Sequence, residues 1–151
     1  MHTFSSSKKC IIIDNDQQST RQCTNFIRNH PHLKCSTLFT YHEHAIGEIQ
    51  KHEQIFFLFL DITHSSSIVF EIAKKYRSKT EFIVFTSKDS DYAIDAFQAG
   101  GDQYLLKPLQ FAKCSSLIDG LILKKIKKNQ VTQSIISKDN WLRIPTSIPQ
   151  G

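Results

Sequence analysis

Ile55-Phe56-Phe57-Leu58-Phe59-Leu60-Asp61 sets six apolar side chains in a row and then an acid. A run this short and wholly apolar reads as a strand buried on both faces, because a half-buried strand would alternate. Asp61 then stands at the strand's C-terminal end, the edge at which open α/β sheets place their binding crevice.

The flanking sequence repeats the same unit. On the N-terminal side, Lys9-Cys10-Ile11-Ile12-Ile13 is a β-branched run ending in Asp14-Asn15-Asp16, followed by a helical stretch over about 19–29 that Pro31 closes. Residues 33–39 read as a second strand, and residues 43–51 as a short helix with Ala45, Ile46 and Ile49 on one face. After Asp61, Ser65-Ser66-Ser67 offers an N-cap for a helix through Ile68, Ile72 and Tyr76. Phe82-Ile83-Val84-Phe85 is a fourth buried strand, ending at Thr86-Ser87. Residues 92–99 form a helix expected to turn Ala93, Ala96 and Phe97 inward, with Gly100-Gly101 as its C-cap. A short fifth strand over 103–106 ends at Lys107-Pro108, and the last helix, about 111–127, carries Leu117, Ile118, Leu121 and Ile122 as its stripe. Five such units predict a doubly wound five-stranded parallel sheet with helices on both faces.

Composition limits the function classes. The chain has 151 residues, 40% hydrophobic and 22% charged, enough for one globular domain with some length to spare. No apolar stretch reaches membrane-spanning length, and residues 1–7 lack the apolar core of a signal peptide, so a cytoplasmic protein with no membrane contact is expected. The formal charge of +5 owes much to Lys124, Lys125, Lys127 and Lys128. A lysine run of that kind is a solvated helix face and gives no weight to direct DNA binding. Cys10, Cys23, Cys35 and Cys114 are too scattered for a zinc or redox motif and read as reduced thiols.

A parallel sheet gathers all its strand C-termini on one edge, so Asp14, Asn15, Asp16, Asp61, Thr86, Ser87 and Lys107 come together there. Clustered carboxylates suit a hard divalent cation such as Mg²⁺, and a carboxylate can itself attack phosphorus to give an acyl phosphate. Such a transfer needs positive charge and donors around the phosphoryl oxygens, which the cation, Lys107 and a hydroxyl at Thr86 or Ser87 would supply.

The ordered set Ile-Ile-Ile-Asp14, Phe-Leu-Asp61, Phe-Thr86-Ser87 and Tyr104-Leu-Leu-Lys107-Pro108 resembles the receiver domain of two-component response regulators, over roughly residues 8–128. The stretch Asp91-Tyr92-Ala93-Ile94-Asp95-Ala96-Phe97, with Gly100 and Tyr104-Leu-Leu-Lys107-Pro108, is similar to the LytTR-type subgroup, whose effector is a DNA-binding domain. The resemblance implies the flavodoxin-like receiver fold and makes Asp61 the phosphoryl acceptor. It assigns Asp14, Asn15, Asp61 and the Thr63 carbonyl to the Mg²⁺ site, and Lys107 to the phosphoryl group, with a cis bond before Pro108. Tyr104 becomes the switch aromatic. Thr86 is the switch hydroxyl when counted from the strand, and Ser87 when counted back from Tyr92. The implied partners are a sensor histidine kinase and a homodimer partner, with DNA reached only through an effector domain. The chain is then a signalling domain, with transcription control as its output, rather than an enzyme beyond its own phosphorylation and dephosphorylation.

Two features depart from that family. Asn15 stands where a second acid is usual, which removes one formal charge from the cation site. The loop Ile62-Thr63-His64-Ser65-Ser66-Ser67 lacks the usual Pro and Gly after the acceptor. Both features favour the alternative of a receiver-like interaction module that takes no phosphate. A phosphohydrolase fits less well, since the chain has no room for a substrate cap and no second acid beside Asp61 as general acid. Residues 135–145 read as strand, turn and strand around Asp139-Asn140. On that reading residues 129–151 are a linker or the start of a truncated LytTR-like effector domain.

Overall fold

The computed structural model describes residues 9–31, 33, 35–62 and 66–146. In chain order its elements are β1 (Lys9–Ile13), α1 (Gln17–Asn29), β2 (Cys35–Phe39), α2 (His42–Lys51), β3 (Ile55–Asp61), α3 (Ser66–Tyr76), β4 (Thr80–Ser87), α4 (Ala93–Gln98), β5 (Gln103–Leu106) and α5 (Phe111–Thr146). All strands are parallel, in the order β2-β1-β3-β4-β5, so β3 sits at the centre. That position explains its sequence. Every residue from Ile55 to Leu60 is buried, because helices cover both faces.

The pleat sorts these side chains into two layers. Ile11, Ile13, Leu58, Leu60, Ile83 and Phe85 pack with Ala45 and Ile49 of α2, Val69, Ile72 and Ala73 of α3, and Ala96 of α4. Cys10, Ile12, Phe57, Phe59 and Val84 alternate to the opposite face, and α1 buries Cys23, Phe26 and Ile27. Phe57 stacks on Phe59 and Phe82 with centroids 5.6 and 4.9 Å apart. Cys10, Cys23 and Cys114 are buried and form no disulfide among the described residues, and burial pushes the Cys23 thiol well up from its ordinary range.

Polar contacts tie the helix ends to the strands. The Arg77 guanidinium donates to the carbonyls of Thr80 (2.7 Å), Glu81 (2.6 Å) and Gly100 (2.6 Å) and to the Asp102 carboxylate (2.8 Å). Asp102 in turn accepts the Ile83 N–H at 2.8 Å, so one ion pair fixes where β5 begins beside β4. At the opposite edge of the sheet, Lys9 bonds Thr37 and meets Glu48 at 3.3 Å, and His52 meets the same carboxylate at 2.8 Å.

Two expectations are corrected. Phe97 is 50% exposed rather than inward, because a helix of six residues turns only Ala96 fully to the core. Residues 135–145 are helical, continuing α5 to Thr146, instead of forming a strand, turn and strand. Between Gly120 and Pro145 no glycine or proline interrupts the helix, and Asp139-Asn140 alone does not break it. The chain divides into two compact units, residues 1–115 and 116–151. In the second unit, Ile118, Leu121 and Ile122 are buried.

Candidate functional site

The site is built from the C-terminal ends of β1, β3, β4 and β5. Asp14 follows the last residue of β1, and Asp61 is the last residue of β3; both side chains are 5% exposed. Lys107, directly after β5, is 3% exposed, and its ammonium lies 2.7 Å from Asp61 Oδ1 and 3.0 Å from Asp14 Oδ2. Its backbone is anchored by a 2.8 Å bond to the Ser87 carbonyl, and the Lys107–Pro108 peptide is cis, as the resemblance implied. Residues 93 positions apart in the chain, Asp14 and Lys107, thus share a nearly dry pocket.

The loop after β1 is equally ordered. Asp14 Oδ1 accepts the Asp16 N–H at 2.9 Å, a tight turn over three residues. Asp16 caps α1, accepting the Gln18 N–H and the Ser19 hydroxyl, both at 3.1 Å. Its Oδ2 is 3.7 Å from the Lys107 ammonium. Asn15, between them, is exposed. Beside the cluster, a pocket of about 410 Å³ is lined by Asp16, Gln18, Ser19, Gln22, Lys88, Lys107 and Pro108.

Both candidate hydroxyls are buried but differently engaged. Register pairs Asp61 with Thr86, and Ile62 N–H donates to the Thr86 carbonyl at 2.8 Å. Ser87 is committed to the loop: its hydroxyl donates to the Ile62 carbonyl at 3.3 Å and accepts the Asp89 N–H at 3.0 Å. Tyr104, opposite Phe85, is half-buried and bonds the Asp89 carbonyl through its hydroxyl. Thr63 lies outside the described residues, as do His64 and Ser65.

The electrostatics show an excess of negative charge. Burial first, and then the neighbouring Asp61 charge, push the Asp14 carboxyl up to about 6, against the lowering effect of the Asp16 N–H and Lys107. Burial disfavours the Lys107 ammonium, yet the Asp61 and Asp14 carboxylates outweigh it and raise its pKa. For Asp16, burial is the largest single influence and raises the carboxyl, but the Ser19 hydroxyl, Lys107 and the Gln18 N–H together outweigh it and hold the carboxyl below the ordinary range. One ammonium therefore faces three carboxylates. The donor set fits a hard divalent cation, since the oxygens are hard and the charge is under-compensated. Among the described residues no three acidic, His or Cys side chains converge closely enough to enclose a metal alone. Backbone, water or phosphoryl oxygens would complete the shell, as Mg²⁺ commonly requires.

No family model matches the chain. It is 25% identical over 111 residues to the sensory transduction protein LytT of Enterococcus faecalis, covering 72% of this chain and 46% of that protein. The chain spans less than half the length of the curated relatives it matches. Among solved structures it is similar to a two-component response regulator from Clostridium difficile (28% identity, TM-score 0.60, covering 75% of this chain and 97% of that one). It is also similar to the response regulatory domain of mrkE from Klebsiella pneumoniae (21% identity, TM-score 0.66, covering 77% and 96%). The chain has the receiver fold of two-component response regulators, and the curated proteins it matches in sequence include sensory transduction proteins LytT.

Proposed function

We propose that this chain is a response-regulator receiver that accepts a phosphoryl group on Asp61 from a sensor histidine kinase. The observation that carries the reading is the Lys107 ammonium held between Asp61 at 2.7 Å and Asp14 at 3.0 Å at one sheet edge. An Asp61 oxygen attacks the phosphorus of a phosphohistidine. The new P–O bond forms as the P–N bond breaks, and the departing imidazole nitrogen keeps the electron pair and takes up a proton. Lys107 offsets the charge of the phosphoryl oxygens, and Thr86 is the better-supported hydroxyl to turn toward them, because the Ser87 hydroxyl already serves the loop. Asp14, Asp61 and, by the family resemblance, Asn15 and the Thr63 carbonyl would hold Mg²⁺, which when bound neutralises phosphoryl charge.

The switch then acts on α4 and β5. Movement of the hydroxyl and Lys107 alters the surroundings of Tyr104, and the exposed Ile94, Phe97 and Leu106 offer an apolar surface for a homodimer partner or effector. Residues 8–128 form the receiver and residues 129–151 a linker or the start of an effector segment, and transcription through a DNA-binding effector is the proposed output. We place this signalling domain in the cytoplasm. Among the described residues no helix is long and apolar enough to cross a membrane.

A second reading, an interaction module that takes no phosphate, is favoured by Asn15 at a position where the family supplies an acid. Intact mass after incubation with acetyl phosphate and Mg²⁺ separates the two. A gain of one phosphoryl group, absent in Asp61→Asn, is expected; no gain in the wild type would support the silent module.

A further inference from the structure

We infer that Asp16, and not Asn15, supplies the further carboxylate that joins Asp14 and Asp61 toward the divalent cation, so that one side chain both caps α1 and charges the site. The inference rests on the receiver reading above. The turn that Asp14 closes on the Asp16 N–H at 2.9 Å throws the intervening residue outward, and Asn15 is exposed. The same turn brings residue 16 back. Asp16 Oδ2 stands 3.7 Å from the Lys107 ammonium, itself 2.7 Å from Asp61, and Asp16 and Lys107 line the same pocket. A neutral amide is a weaker partner than a carboxylate for a hard cation, and Mg²⁺ keeps several of its waters. A carboxylate at the edge of the site therefore strengthens binding through its charge, without having to displace those waters. The charge missing at Asn15 is restored one residue later, and the site retains three acids.

The capping role makes the idea separable from a folding effect. Asn and Ser cap helices about as well as Asp but carry no charge. Asp16→Asn is therefore expected to keep a cooperative thermal transition in metal-free buffer, while Mn²⁺ affinity, read from the free-ion signal in electron paramagnetic resonance, falls about tenfold. Asp16→Ser repeats the test with a second uncharged cap. Unchanged affinity in both Asp16 variants would overturn the assignment. Asp61→Asn distinguishes the two levels of failure. If it weakens Mn²⁺ binding while the Asp16 variants do not, only the Asp16 role falls; if it leaves binding unchanged, the receiver reading falls with it.

Discussion

Asp14 illustrates how a single residue carries both the strain and the purpose of the site. Its carboxyl is raised to about 6 from an ordinary 3.8, so in the absence of a cation the folded chain holds that proton more tightly than the unfolded chain. The sign follows directly. The penalty of ionising Asp14 is fully present above about pH 6 and is relieved as the pH falls toward 3.8. In Mg²⁺-free buffer Asp14→Asn should raise stability at neutral pH by about 1–3 kcal/mol, and it should flatten the pH dependence contributed over that window. Urea unfolding at several pH values checks this, and a variant with the wild-type slope would contradict it. Asp14, Asp61, Thr86 and Lys107 were legible in the sequence because each directly follows or ends an apolar run. The outward turn of Asn15 and the loop bonds of Ser87 were not, since both depend on hydrogen bonds that no spacing encodes.

At the scale of elements, the close fit of α4 against the sheet depends on its final turn. Gly100 has φ of 102°, and a Cβ on Gly101 would lie 2.7 Å from the Phe85 ring and 3.0 Å from the Ala96 carbonyl. Gly101→Ala should therefore destabilise the fold by about 1–3 kcal/mol, measured as a lower urea midpoint, because neither the ring nor the helix backbone can yield freely. A midpoint equal to the wild type would show that β5 can shift away. The strands were read well because a doubly buried strand leaves an unbroken apolar run, as at Ile55 to Leu60. The helices were read less well. Periodicity places Phe97 on an apolar face without showing that α4 is too short to bury it, and Asp139-Asn140 reads as a turn between strands where α5 continues.

For the whole molecule, the parallel sheet is what converts scattered residues into a site. Every crossover returns the chain so that each strand ends on the same edge, and Asp14 and Lys107 meet across 93 positions of sequence. The same topology leaves α4 and β5 at one side of the sheet, with Tyr104 bonded to the Asp89 carbonyl and Ile94 exposed. The receiver reading requires Asp61 to take up a phosphoryl group, and acyl phosphates can be trapped chemically. Reducing the phosphodonor-treated chain with borohydride and sequencing its peptides by mass spectrometry should find the reduced residue at position 61 and nowhere else. Reduction at Asp14 or Asp16, or none at all, would contradict the account.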